Sequence, residues 1–152
     1  MSDAAQHALR NKGVGDTEVD GLLAGILAGL AMAIYLILSS FFNGTSPAVT
    51  LGRFDPSLQG SWLAGSLAHL AVSGVYGVIF ALLYALPARR WSSLRRFGWL
   101  FGLAFGLILL ALARGVLLPA ASSPLLQIGT LHLVLAHAVY GLLLGYEVSR
   151  RG

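Results

Sequence analysis

The chain has 152 residues, of which 57% are hydrophobic and only 11% are charged, whereas soluble domains carry about 25% charged residues. It has no cysteine, which excludes disulfides, zinc thiolate sites, iron–sulfur clusters and thiol catalysis. The net charge is +4, but the charges lie at the ends of apolar runs, a pattern of membrane topology rather than of nucleic-acid binding. The composition predicts a protein that is embedded in the lipid bilayer and does not bind nucleic acid.

Four apolar segments reach the roughly 17 to 25 residues that cross about 30 Å of hydrocarbon. They cover 21–42, 62–86, 97–118 and 127–148. The sequence therefore predicts an all-α polytopic membrane protein, with a four-helix transmembrane bundle over 21–148. Polar cytoplasmic tails are expected over 1–20 and 149–152. The first tail has no short apolar run before a small-residue cleavage site, so the first helix is expected to be an uncleaved insertion signal.

Basic residues predict the orientation of the chain. Eight of them lie on one side of the predicted bundle: Arg10, Lys12, Arg89, Arg90, Arg95, Arg96, Arg150 and Arg151. Only Arg53 and Arg114 lie on the other side. Because basic loops stay inside, we expect both termini in the cytoplasm and the protein in a bacterial inner membrane.

The first predicted helix carries glycines four residues apart, and the third helix repeats the spacing. The two glycine ladders are Gly21, Gly25 and Gly29, and Gly98, Gly102 and Gly106. Small residues at this spacing let helix backbones approach closely in lipid. We therefore expect the first and third helices to pack against each other along these ladders. After the first helix, the stretch 53–56 predicts an ordered turn at the membrane surface.

The second and fourth helices carry a polar stripe on one face. Its members recur at spacings of three and four residues. They are His69, Ser73, Tyr76, His137 and Tyr140. We expect this intramembrane stripe to face the interior of the bundle.

The chain also predicts an internal repeat. The glycine ladders are 77 residues apart, and the V-Y-G triplets of the second and fourth helices, 75–77 and 139–141, are 64 residues apart. Two duplicated helical hairpins in parallel orientation would give both offsets, with a pseudo-two-fold axis along the membrane normal. In this alignment His137 takes the place of Ser73, and His69 lies one turn nearer the outside.

Ionisable side chains within a membrane are functional candidates. In the simplest interpretation a neutral His137 exchanges hydrogen bonds with Ser73, Tyr76 or Tyr140, and thereby ties the second helix to the fourth. Alternatively, His69, His137 or His132 binds a cofactor, either haem or a chlorophyll-type pigment. His132 lies near the depth of His69 but about 140° around the helix from His137. A proton or small-solute path along the stripe is a third interpretation.

Catalytic and metal sites are not predicted. No nucleophile elbow or phosphate-binding loop occurs, and the histidines lack the spacing and accompanying acids of a metal site. Glu147 is expected to form a salt bridge with Arg150 or Arg151 at the cytoplasmic edge. Arg114, near the outer end of the third helix, is expected to extend to the headgroups.

Several motifs resemble the YagU-like family of small bacterial inner-membrane proteins. They are the opening helix GLLAGILAGL, the second helix LAHLAVSGVYGVIFALLY, the basic loop, the glycine-rich third helix and the ending LAHAVYGLLLGYEVSRR. The resemblance implies a four-helix architecture and a membrane location, but no reaction. We therefore expect a structural or interaction protein rather than an enzyme, working as a homo-oligomer or as an accessory subunit of a larger membrane complex. The alternative is a pigment-binding subunit in electron transfer or light harvesting.

Overall fold

Helices make up all of the regular structure in the computed structural model, which describes residues 13–151 except for the side chains of Arg89, Ser92 and Ser93. In chain order these are α1 (Val14–Phe42), α2 (Pro47–Gly52), α3 (Trp62–Arg90), a 3-10 helix (Ser92–Phe97), α4 (Gly98–Leu112), a π-helical turn (Ala113–Leu117) with a last α-helical turn (Leu118–Ala120), a 3-10 helix (Pro124–Gln127) and α5 (Thr130–Arg151). The predicted tail residues 1–12, with Arg10 and Lys12, lie outside the described residues.

Four of these helices are long and apolar enough to cross a membrane: Val14–Phe42, Trp62–Ala88, Leu94–Ala120 and Thr130–Arg151. The prediction of an all-α, four-helix membrane protein is thereby confirmed. The first helix begins at Val14 rather than at residue 21. Its first turn is polar, and the carboxylate of Asp16 accepts a hydrogen bond from the Gly13 amide at 2.9 Å. A carboxylate near a helix N-terminus satisfies a free N–H and suits the helix dipole, which extends the helix into the predicted tail.

Each glycine ladder packs within its own hairpin. A Cβ atom added at Gly25 of α1 would lie 2.8 Å from the Gly77 Cα of α3, and one added at Gly102 of α4 would lie 2.6 Å from the Gly145 Cα of α5. The predicted packing of the first helix against the third is therefore wrong. The second and fourth membrane helices, α3 and α5, carry small residues of their own at the matching spacing. Each ladder therefore packs against the antiparallel membrane helix that follows it in the chain.

The packing contacts also change which residues of the two hairpins correspond to each other. Gly21 lies against Gly77 and Ala81, as Gly98 lies against Gly145 and Ser149. The corresponding residues of α3 and α5 are therefore 68 apart, which pairs His137 with His69. The predicted offset of 64 residues, which paired His137 with Ser73, is wrong by one helical turn. The reason is that packing follows the small residues rather than the V-Y-G triplets.

The hairpins meet at two helix–helix contacts, and the helices come much closer in one than in the other. Helices α1 and α5 pack closely, whereas α3 and α4 approach each other at few positions. What joins α3 to α4 is a set of large rings, with centroids 5.2 Å apart for Phe80 and Phe105 and 5.9 Å apart for Tyr84 and Phe101. These rings hold α3 and α4 apart on one side of the bundle.

Polar contacts close both ends of the bundle. At the basic end, where Gly13, the 3-10 helix Ser92–Phe97 and Arg151 lie, Glu147 forms the predicted salt bridges, 2.7 Å from Arg150 and 3.2 Å from Arg151. Arg151 also lies 3.6 Å from Asp20 and so links α5 to α1. At the opposite end, called the far end below, α2 packs on α1 and α3. The predicted turn follows α2, with the Asp55 amide donating to the Gly52 carbonyl at 3.1 Å.

Candidate functional site

A cavity of about 290 Å³ lies between α3 and α4 in the far half of the bundle. All five residues of the predicted polar stripe line it: His69, Ser73, Tyr76, His137 and Tyr140. The rest of the lining is apolar, and Phe54 and Pro56 cover the cavity from the far-end loop. The fold therefore gathers the whole predicted polar stripe around one apolar space.

The cavity wall opposite α3 is formed where the third membrane helix changes from α-helical to π-helical geometry. The π-helical turn Ala113–Leu117 places Ala113 and Leu117 on the cavity. Pro119 follows it and lacks the N–H that would donate to the Gly115 carbonyl in an α-helix, and its ring crowds that carbonyl. A wider turn relieves this conflict, and such turns are frequent at functional sites. The sequence prediction of a regular third helix missed this turn, although Pro119 is a visible signal for it.

His69 ties α3 to α1. Its Nε2 lies 3.0 Å from the Gly29 carbonyl oxygen, and its ring centroid lies 4.5 Å from that of Phe54. Because a carbonyl oxygen only accepts, Nε2 carries the hydrogen. In the neutral ring Nδ1 is then a bare acceptor.

His137 bonds to its own helix. Its Nδ1 lies 2.9 Å from the Leu133 carbonyl oxygen, so Nδ1 carries the hydrogen and Nε2 is the bare acceptor. The predicted hydrogen bond between His137 and Ser73, Tyr76 or Tyr140 is therefore replaced by a bond along α5. The tie from the fourth membrane helix to the second is made instead by the Tyr140 hydroxyl, which donates to the Ser73 carbonyl at 2.8 Å.

Both bare imidazole nitrogens are accessible. Over the described part of the chain, the buried side-chain nitrogen or oxygen atom without a hydrogen-bond partner is Nη1 of Arg114. Neither Nδ1 of His69 nor Nε2 of His137 is sealed in this way, and both rings line the cavity. Each ring therefore carries an exposed acceptor nitrogen and lies where a molecule in the cavity can contact it.

The third histidine candidate lies elsewhere. His132 Nδ1 is 3.2 Å from the Tyr35 hydroxyl oxygen of α1, and His132 is not among the residues that line the cavity. Of the three predicted ligands, His69 and His137 share one site. His132 instead links the start of α5 to α1.

Arg114 departs from its prediction. The third membrane helix continues to Ala120, so Arg114 is not in its last turn, and Nη1 of the guanidinium is buried. The expected extension of this side chain to the headgroups therefore fails for Nη1.

Tyr140→Phe tests the tie between α5 and α3. We expect a loss of about 0.6 to 1 kcal/mol in unfolding free energy, the usual worth of one hydrogen bond between membrane helices. Reversible unfolding in mixed detergent measures it. Tyr146→Phe is the control, because Tyr146 lies on the exposed face of α5. Equal stability of the two variants would contradict the tie.

Comparison of the chain with protein-family models, with curated proteins and with solved structures finds no match. Within the described residues, no group of three or more His, Cys, Asp or Glu side chains could hold a metal ion.

Proposed function

We propose that this protein binds a small lipid-soluble molecule in the cavity between α3 and α4. The observation that carries the proposal is the convergence of His69 and His137 on one apolar cavity inside the membrane. An apolar lining with a few convergent polar groups is the usual form of a small-molecule site. The volume, about 290 Å³, is near the lower end of the range of about 300 to 1,000 Å³ that such sites span.

Access from the lipid supports this proposal. Val72 of α3 and Leu117 of the π-helical turn line the cavity, yet they are 52% and 45% exposed. Both side chains thus reach the outer surface of the bundle, on the side where α3 and α4 are held apart. A lipid-soluble molecule enters there without crossing water.

A pair of tryptophan variants on α3 tests the site. Val72→Trp fills the entrance, whereas Val75→Trp places the same ring on the lipid-facing surface, since Val75 is 56% exposed and does not line the cavity. The protein is purified in mild detergent, extracted with solvent, and the extract is analysed by mass spectrometry. We expect a bound compound at near one copy per chain in wild type and Val75→Trp, and at least a tenfold loss in Val72→Trp. Equal recovery from both variants would refute the site.

The absorption spectrum of the same preparation distinguishes the pigment-binding alternative. Two imidazoles that line one cavity and each carry a bare nitrogen are compatible with axial ligation of a tetrapyrrole. The small volume favours a single-ring head group over a macrocycle. A Soret band that is lost in His69→Ala or His137→Ala would replace our proposal with haem or pigment binding.

A second candidate function is that of an interaction protein. The third membrane helix favours it, since only 17% of its most apolar window is buried, against 44% for the first and fourth helices. A homo-oligomer, or a place as accessory subunit in a larger membrane complex, would cover this helix. Light scattering of the same preparation tests self-association, because a monomer mass would argue against the homo-oligomer.

The proposal extends to location and origin. The basic loop and the C-terminal arginines support a bacterial inner-membrane protein with both termini in the cytoplasm. The matching glycine contacts of the two hairpins support an internal duplication. The resemblance to the YagU-like family rests on the sequence motifs and is part of the same proposal.

A further inference from the structure

We infer that the ligand carries a hydroxylated aromatic head group, of phenol or quinol type, that donates hydrogen bonds to His69 Nδ1 and His137 Nε2. This inference rests on the proposed function and specifies its ligand class. The other ring nitrogens of these histidines donate hydrogen bonds to the carbonyls of Gly29 and Leu133. The two backbone bonds therefore decide what chemistry the cavity presents.

Each imidazole presents an acceptor. A neutral imidazole has one N–H and one bare nitrogen, and here the N–H of each ring is already used. The Tyr140 hydroxyl hydrogen is used as well, in its bond to the Ser73 carbonyl. The Ser73 and Tyr76 hydroxyls, which also line the cavity, can donate or accept, whereas the two imidazole nitrogens can only accept. A ligand that only accepts hydrogen bonds would therefore leave both nitrogens unpaired at a cost in affinity.

Aromatic rings surround these acceptors. Phe54, His69, Tyr76, His137 and Tyr140 all line the cavity. Offset or edge contacts between rings favour a flat aromatic head group over an alkyl chain of the same volume. The apolar tail of the molecule then leaves between Val72 and Leu117, where the lining reaches the lipid.

The test compares three probes that differ in donor groups. Decylhydroquinone has two hydroxyl donors, its dimethyl ether has none, and the oxidised decylquinone has only acceptors. Binding to the full-length protein in detergent is measured by fluorescence quenching under anaerobic, reducing conditions for the first two. We expect decylhydroquinone to bind at least tenfold more tightly than either other probe, the factor expected for one or two hydrogen bonds.

Variants of His137 distinguish the loss of a hydrogen-bond acceptor from the loss of the folded cavity. His137→Phe removes the acceptor, and we expect it to reduce decylhydroquinone binding about tenfold while ether binding stays unchanged. His137→Gln keeps an acceptor oxygen, so it should recover part of the loss. Unchanged ether binding in His137→Phe also shows that the cavity is still folded.

The outcomes distinguish the inference from the proposed function. Equal binding of the hydroquinone and the ether, with both lost in Val72→Trp, overturns the head-group inference and leaves the lipid-accessible site standing. Tighter binding of the quinone overturns the inference too, because donors of the cavity, such as the Tyr76 hydroxyl, would then decide the ligand instead of the histidine acceptors. Failure of all three probes to bind, or binding that Val72→Trp does not weaken, overturns both.

Discussion

Gly102→Ala is expected to destabilise the protein by about 3 kcal/mol, the upper end of the usual cost of overpacking. The added Cβ would lie 2.6 Å from both the Cα and the N of Gly145. Real Cβ atoms essentially never approach other heavy atoms this closely. Because the atoms in the way belong to a helix backbone rather than to a flexible side chain, α4 and α5 must move apart along their whole contact.

Gly115→Ala is the matched control in the same membrane helix. Apart from its chain neighbours and the local helix backbone, no atom lies within 4 Å of a Cβ built at Gly115. Alanine also favours helix over glycine by roughly 0.5 to 1 kcal/mol, so this variant should be as stable as wild type or slightly more stable. Reversible unfolding in mixed detergent, followed by circular dichroism, compares the two. If Gly102→Ala unfolded at the same midpoint as Gly115→Ala, the close approach of α4 and α5 would be wrong.

The first hairpin provides an independent repeat of this experiment. Gly25→Ala should behave as Gly102→Ala does, since its Cβ would lie 2.8 Å from the Gly77 Cα. Gly15→Ala is its control, with nothing within 4 Å. A large loss in one hairpin only would show that the two ladders are not equivalent in packing.

Hydropathy and length were sufficient to predict the four membrane helices, because the cost of leaving backbone groups unpaired in lipid permits little else. They could not predict helix partners. The spacing of Gly98, Gly102 and Gly106 shows that one face of a helix is small, but any helix with a complementary face can pack there. The partner was decided by small residues on α5, such as Gly145, which the sequence prediction had not used.

The cavity exists because α1 and α5 pack closely while α3 and α4 are held apart. This difference between two interfaces cannot be read from the sequence of any one helix. Small side chains such as Ala28 of α1 and Ala136 of α5 lie in the buried core, where they permit close packing. Phe80 of α3 and Phe105 of α4 meet on the other side and hold their helices apart. The stripe residues could thus be predicted as a set from their spacing, whereas the space between them required the relative positions of all four helices.

For the histidines, the sequence predicts position but not hydrogen bonding. Their position on an inward face follows from helical periodicity. Their hydrogen bonds do not, because they depend on which backbone carbonyl each ring meets. For His69 that carbonyl belongs to Gly29 of another helix, and for His137 it belongs to Leu133 one turn earlier.

Asp55→Ala is expected to release the far-end loop that covers the cavity. Asp55 is only 2% exposed. Its Oδ1 accepts from the Ser57 hydroxyl at 2.7 Å and the Ser57 amide at 2.9 Å, and its Oδ2 accepts from the Ser61 amide at 2.9 Å. Without the carboxylate these donors lose their partner. We expect the Ser57 and Ser61 amides to exchange with solvent at least tenfold faster, because local opening becomes easier.

Asp16→Ala is the control for this loop, since it removes an exposed carboxylate at the opposite end of the bundle. Hydrogen exchange followed by mass spectrometry should show no change at Ser57 or Ser61 in this variant. Unchanged protection in Asp55→Ala itself would mean that the loop is held by α2 rather than by the carboxylate.

The pH dependence of the loop provides a second measurement of the same carboxylate. The hydrogen bonds from the Ser57 side chain, and then from the Ser57 and Ser61 amides, lower the pKa of Asp55 below its ordinary value of 3.8. A carboxylate with a lower pKa in the folded state stabilises the loop fully above its unfolded pKa and loses this effect as the pH falls through the folded pKa. Loop protection should therefore be constant from neutral pH to about pH 5 and fall below about pH 4, whereas Asp55→Asn should lack this acid transition.

The consequence for the cavity follows from the residue before Asp55. Phe54 lines the cavity and packs on the ring of His69, so a loop that opens also uncovers the site from the far end. In Asp55→Ala we expect a compound bound in the proposed site to dissociate at least several-fold faster than in Asp16→Ala, while the entrance between α3 and α4 is unchanged. Equal dissociation rates would show that ligand exchange runs only through the membrane-facing entrance at Val72.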